Sequence, residues 1–405
     1  MKRMLWILPG FLVFTVTCGQ QSVSTLRDAL KGHVDTVFPA ICRLMHTEPE
    51  IPPEITTMDR DGLIAFLKAG LTSDYPDNEL TRRSKALSTI GILPDGFDLE
   101  QQLIELLTQQ AGGLYDFREK KVIWMEDLAG EDRRGINDKM VLSHELTHAF
   151  QDRYLDFSSR AKEFSCNMDA EYAFRALIEG MASLVMMAYA SGIPLSAAPD
   201  LKDFWRSGYY RGVRPYETGN DYLREYLISP YAEGGSFLQS WIKDHPGTSL
   251  RALFLNPPQT SEQVLHYEKY LGQDKPLPVP LDSFLQVVPG GWQICFQNTL
   301  GEFDLWQLFQ THGSTRDQAA SLAAGWDGCE FICFETPDKQ LVLVAKSAWD
   351  TPGDANEFRE ALSGLLVEST GANALVFSPS GSIVCFLVGL PESPVRSTLA
   401  NALAR

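Results

Sequence analysis

The sequence predicts an α+β fold: a mostly helical region that includes a small edge-strand sheet, followed by a C-terminal α+β module. Three observations carry this. Apolar residues recur at helical spacing over most of 22–310, as in Leu63-Ile64-Phe66-Leu67 and Leu103-Ile104-Leu106-Leu107. Runs rich in Val, Ile, Leu and Phe crowd the chain after Gly325. The chain has 405 residues, 44% hydrophobic and 21% charged, which is ordinary globular composition with enough length for two or three folding units.

The elements follow in order. Lys2-Arg3 precede a charge-free run from Met4 to Val16 that ends near Cys18-Gly19-Gln20. The run is too short to span a bilayer and suits an export signal over 1–18. Thr15-Val16-Thr17-Cys18 resembles a bacterial lipobox, with Thr in place of the usual Leu and small residue. Cys18 is therefore the candidate for a lipid anchor, against simple secretion or a retained hydrophobic segment. The expected location is a cell-envelope lipoprotein or a secreted or periplasmic protein, and no later stretch is read as transmembrane. Pro52-Pro53 and Pro94-Asp95-Gly96 mark turns between helices. Gly112-Gly113 introduces a hairpin whose second strand is Lys121 to Met125. Two long helices are expected near 139–154 and 167–191, joined by a polar stretch around Asp156-Phe157-Ser158-Ser159. Residues 200–310 read as helical, so the first region spans 19–310. The module, 320–405, has strands at 331–334, 340–345, 373–377 and 382–389, with helices at 357–366 and 394–404.

Charge and cysteine usage exclude some functions. Lys plus Arg number 35 against 52 for Asp plus Glu, a net charge of −17 that opposes phosphate backbones and anionic membrane surfaces. Nucleic acid is excluded as a partner, and membrane contact is expected only through an anchor at Cys18. Beyond it stand Cys42, Cys166, Cys295, Cys329, Cys333 and Cys385, too scattered for a disulfide scaffold and lacking Cys-x-x-Cys metal spacing. Buried small hydrophobes and disulfides both remain open for Cys329, Cys333 and Cys385.

The informative stretch is Val141-Leu142-Ser143-His144-Glu145-Leu146-Thr147-His148-Ala149. His144 and His148, four apart on one helical face, can reach one metal ion while Glu145 points toward a bound water. Chance would produce His-Glu-x-x-His on the order of 0.01 times in a chain of this composition. A catalytic Zn2+ needs a third protein ligand and an open position for water. Asp169, Glu171 and Glu179 are the candidates. Glu179 stands within Ala176-Leu177-Ile178-Glu179-Gly180-Met181-Ala182, where a carboxylate needs a partner. Metal ligation explains it best, with an ion pair to Arg175 as the alternative. Asp169 and Glu171 lie at the start of their helix, where the dipole favours acids.

His144-Glu145-Leu146-Thr147-His148-Ala149, then Gln151-Asp152, then Glu179-Gly180-x-Ala182 on a later helix, resemble the gluzincin branch of the zinc metallopeptidases, the thermolysin-like superfamily. Tyr231-x-x-Gly234 and Pro257-Pro258-x-Thr260-x-Glu262-Gln263-Val264-Leu265-His266-x-x-Lys269-Tyr270 are similar to a little-characterised bacterial set of such proteins. The resemblance implies a zincin-like catalytic region, a peptide or protein substrate, and Lys121 to Met125 as the sheet edge above the metal, where an extended peptide pairs its backbone. It also implies Glu145 as general base. A tetrahedral intermediate needs a further donor for its oxyanion. His266 and Tyr231, both after loop signals, are the candidates, although a lone His after Val264-Leu265 also reads as a hydrogen-bonded structural residue. His33, His46, His245 and His312 have no partner spacing. The expected activity is zinc-dependent peptide-bond hydrolysis by an exported protein. The rivals are a zincin scaffold retained for binding or envelope assembly without turnover, and a zinc hydrolase of non-peptide amides.

Overall fold

The computed structural model describes residues 10–11, 23–48, 50–126, 138–206, 220–370, 373–390 and 393–404. The export signal is thus outside the described residues except for Gly10–Phe11, and Cys18 lies outside them.

The chain is α+β, as its patterning predicts. Strand β1 (Gly10–Phe11) precedes helix α1 (Val23–Leu44), β2 (Glu54–Met58), α2 (Arg60–Asp74), α3 (Glu79–Ile90) and α4 (Leu99–Gln110). Local chemistry sets these ends. The Asp59 carboxylate accepts the Gly62 N–H at 2.7 Å, Asp98 accepts that of Gln101 at 3.0 Å, and Gly91 closes α3 with φ of 92°. The hairpin β3 (Ala111–Asp116) and β4 (Lys121–Met125) follows, then α5 (Asp138–Tyr154), α6 (Phe157–Phe164) and α7 (Met168–Ser191). The polar link expected around 156–159 is therefore largely the short helix α6.

The first sheet has the order β1-β3-β4-β2, with β2 parallel to β4 and the other pairs antiparallel. This overturns the expectation that Lys121–Met125 is the sheet edge. β4 is flanked on both sides because Glu54-Ile55-Thr56-Thr57-Met58, too short to register within a helical region, pairs with it along its whole length. The parallel pairing is permitted by the crossover through α2, α3 and α4. The edges are β2 and the two-residue β1, which meets the outer side of β3 at Gly113 and Ala111.

Helices α8 (Leu201–Arg206), α9 (Asp221–Asp244), α10 (Arg251–Leu255), α11 (Ser261–Leu265), α12 (Tyr267–Leu271) and α13 (Asp282–Leu285) lead to β5 (Gln293–Asn298). β5 begins upstream of the expected module start at 320, because it pairs with β6 (Trp326–Glu335) across the helices α14 (Glu302–Thr311) and α15 (Arg316–Ala323). With β7 (Leu341–Trp349), α16 (Pro352–Thr370), β8 (Ala374–Ser380), β9 (Ile383–Val388) and α17 (Pro394–Leu403), it builds a sheet of order β5-β6-β7-β9-β8. Alternation along the strands divides their side chains between two cores. Phe331, Cys333, Leu343, Ala345, Val384 and Phe386 join the main core that also takes in α1, α5, α7 and α9, whereas Ile332, Phe334, Val342, Val344, Cys385 and Leu387 form a second one beneath α17. A sheet covered on both faces reads as continuous apolar runs.

By length and composition α7 can cross a membrane, contrary to the sequence reading, but 83% of its apolar window is buried inside the protein. It is the central helix of the core. α7 crosses α9 where both carry glycine. A Cβ added to Gly180 would stand 2.3 Å from the Gly234 carbonyl carbon, and one added to Gly234 would stand 1.8 Å from the Ala176 carbonyl oxygen. The two backbones therefore touch, which only glycine permits.

Gly234→Ala is expected to force the helices apart and to destabilise the protein by at least about 1–3 kcal/mol. Gly32→Ala, on the exposed face of α1 with open space around the new methyl, should be neutral or stabilising by roughly 0.5–1 kcal/mol. Urea midpoints of the two variants check this, and equal midpoints would remove the close crossing.

Candidate metal centre

Helix α5 is buried on almost every side, so its polar residues satisfy one another or the backbone. Ser143 donates to the Met140 carbonyl at 2.7 Å and Thr147 to the Ser143 carbonyl at 2.6 Å. His144 and His148 project from one face with ring centroids 4.9 Å apart and planes nearly perpendicular. Glu179 comes from α7. One donor atom from each of the three lies within 4.8 Å of the others. His144 Nε2 is 3.2 Å and His148 Nε2 3.6 Å from Glu179 Oε2. Tetrahedral zinc with bonds of ~2.0–2.1 Å has ligand atoms about 3.3–3.4 Å apart, so the spacing fits such an ion.

Protonation sharpens the fit. Gln151 donates its amide N–H to the Ile178 carbonyl at 2.9 Å, which turns its Oε1 toward His148 Nδ1 at 2.8 Å. Nδ1 must then carry the proton, and Nε2 presents a lone pair to the Glu179 carboxylate. Burial holds the His144 imidazole down at about 3 and that of His148 at about 4, so both are neutral at pH 7. Burial also pushes the Glu179 carboxyl up. His148 Nε2 has no hydrogen-bond partner. A lone pair and a carboxylate converging in the interior are unfavourable until a cation lies between them.

Two more sequence candidates reach this cluster. Glu145 is fully buried, with its Cγ 3.5 Å from where a Cβ on Gly113 of β3 would stand. Tyr231 stacks on the His144 ring at 5.6 Å between centroids and an interplanar angle of 15°, and burial, then the nearby Glu179 carboxylate, pushes its hydroxyl up. Tyr231 is thus at the cluster, beside both His144 and Glu179.

The remaining candidates are elsewhere. Asp169 accepts the Ser261 N–H at 2.8 Å, and burial raises its carboxyl to about 7. Glu171 accepts from Tyr75 at 2.9 Å and Tyr226 at 3.2 Å and pairs with Arg83 at 3.5 Å. Arg175 donates to the Tyr226 carbonyl and covers that ring at 3.6 Å. The oxyanion role expected for His266 is not supported by its position. Its Nε2 is 2.8 Å from Glu302 at the start of α14, and Ser261, just before it, is tied to Asp169, ten residues or about 15 Å of helix from Glu179. His266 anchors α11 to α14.

Sequence reasoning quoted Gln151 and Gly234 only as parts of motifs. Gln151 lies one turn beyond His148 on the same helix, the signal that an amide can orient the imidazole. Gly234 lies one turn past Tyr231 and sets how closely α9 approaches.

Residues 293–383 match the model of a family described as a domain of unknown function (DUF8575). The match covers the C-terminal sheet from β5 to the start of β9 and stops short of the metal cluster. No curated protein and no solved structure matches the chain.

Gln151→Leu and Tyr231→Phe should each weaken zinc binding about 10–100-fold by releasing a ligand from the side chain that positions it. Competition with a chromophoric chelator measures this, and wild-type affinity in both would deny them a positioning role. His266→Gln should retain zinc affinity but lose stability in a pH-dependent way. The hydrogen bond to Glu302 chiefly raises the His266 value, with Glu268 and Glu262 adding to it and burial opposing. Its contribution is therefore complete below the unfolded value of about 6.5 and is lost as pH rises through the folded one. Unfolding curves at pH 6 and pH 9 should show the variant's deficit shrinking at the higher pH.

Proposed function

We propose that this chain is a zinc-dependent metallopeptidase of the gluzincin kind, with His144, His148 and Glu179 as metal ligands and Glu145 as general base. The observation that carries the reading is the buried meeting of two neutral imidazoles and a carboxylate, a donor set that could hold one zinc ion and leave its fourth position to water. Zinc held there supplies Lewis acidity, lowering the pKa of water to about 7 and polarising the scissile carbonyl.

The chain's own residues do the rest. Glu145 accepts a proton from the attacking water as the new C–O bond forms, then delivers it to the leaving nitrogen as the C–N bond breaks. Gln151 holds His148 in the tautomer that leaves Nε2 free, and Tyr231 flanks Glu179. Along β3 a peptide would take the position that β1 holds here, where Gly10 pairs with Gly113, a position that cleavage of the export signal would vacate, and would so approach Glu145. The reading includes export through 1–18, with Cys18 as the anchor.

A second reading keeps the scaffold without turnover. It is favoured by the enclosure of the cluster, in which His144, Glu145, His148, Glu179 and Tyr231 are all 2% exposed or less. A proteome-derived peptide library incubated with the purified protein separates the two. Glu145→Gln should keep its zinc and lose about 10²–10⁴-fold in cleavage rate, whereas His148→Ala should lose the metal as well. Zinc-loaded wild-type protein that cleaves neither peptides nor simple amides would favour the scaffold.

A further inference from the structure

We propose that Cys295 and Cys333 form a redox-active dithiol that closes to a disulfide between β5 and β6. The ladder between these strands is irregular at one place. Ile294 pairs with Phe334 and Phe296 with Cys333, so Cys295 is the additional residue of a bulge beside Cys333. The two thiols are hydrogen-bonded to each other. No other pair among the described cysteines is shown in such contact.

The surroundings separate their roles. β5 is an edge strand of its sheet, and Cys295 is 8% exposed, whereas Cys333 is fully buried with its Sγ 3.9 Å from Thr89 Oγ1. Helix α3 brings two cations. Arg82 donates to the Cys295 carbonyl at 3.4 Å, and Lys85 lies close enough to act on both sulfurs. The hydrogen bond from Cys333 does most to lower the Cys295 thiol to about 7, with Lys85 and Arg82 assisting and burial and Glu335 opposing. The same hydrogen bond, then burial, pushes Cys333 far up. The thiolate therefore forms more readily on Cys295 than on Cys333. Cys295 is the entry thiolate and Cys333 the resolving thiol.

With glutathione disulfide as oxidant, the Cys295 thiolate attacks one glutathione sulfur, the S–S bond breaks, and the departing glutathione thiolate takes up a proton. Cys333 then gives up its proton and attacks Cys295 sulfur, releasing the second glutathione. Two protein thiols are oxidised to one disulfide while one glutathione disulfide is reduced to two thiols. The bond would fasten the strand whose last residue, Asn298, accepts the Met168 N–H at 2.7 Å at the start of α7.

The test uses the full chain exposed to glutathione disulfide, blocked with N-ethylmaleimide and mapped by mass spectrometry without reduction. A Cys295–Cys333 cross-link is expected, two hydrogens lighter than the dithiol and melting at higher temperature. It should persist in Cys329→Ser and vanish in Cys333→Ser, where Cys295 should remain joined to glutathione. In Cys295→Ser, Cys333 should stay unmodified. Both thiols recovered as maleimide adducts while exposed Cys166 is glutathionylated, or a bond from Cys295 to Cys329 in the wild type, would overturn the proposal. The wild-type map decides the matter even where a variant fails to fold.

Discussion

Helices α7 and α9 touch backbone to backbone at Gly180 and Gly234, and the cluster of His144, His148 and Glu179 depends on that contact. Glu179 precedes the first glycine and Tyr231 lies one turn before the second, so the approach that brings the helices together also brings the hydroxyl beside the carboxylate. Any side chain at the crossing would separate them. α5 completes the arrangement from the other side. Gln151 spans to the Ile178 carbonyl, adjoining Glu179, so the imidazole and the carboxylate are registered against the same turn of α7.

Much of this was legible in the sequence because the relevant signals are local. The spacing of His144 and His148, the acid within an apolar helix, and the alternating runs after Gly325 are properties of one element each. Glu179 could be singled out because its neighbours in sequence are apolar, and the structure brings it to His144 and His148. What could not be read was set by pairing over distance. β2 is five residues within a helical region, and β5 finds its partner only across two intervening helices. The edge strand was misassigned for the same reason, because an edge is defined by what fails to pair. His266 was placed at the site on chemical need, whereas its partner Glu302 is a residue that no spacing rule connects to it.

The C-terminal sheet bears on the site through the start of α7. Asn298 accepts the Met168 N–H, Asn167 reaches Thr299 at 3.2 Å, and Asp169 fixes Ser261. The first turn of the ligand helix is therefore capped by Asn167 and also clamped by the end of β5 and the start of α11. The central strands β6, β7 and β9 that back this clamp are buried on both faces. A sheet that only shielded the helices would need one apolar face, not two.

The depth of the cluster has two opposing effects, and their balance explains its composition. Burial makes each charge costly and so keeps both imidazoles neutral; it also strengthens the attraction between a cation and the one carboxylate that remains. On the proposed reading, two neutral ligands and one anion would leave a divalent ion with net positive charge, which would favour activation of a fourth ligand, whereas a set of thiolates would neutralise it. The same economy governs the sheet side. Glycine at 113 lets the Glu145 side chain lie against β3 without a Cβ between them, at a position where a larger residue would also meet the Trp124 ring at 3.1 Å. On the proposed reading, this puts the Glu145 carboxylate where it could take a proton from water and pass it to a leaving nitrogen.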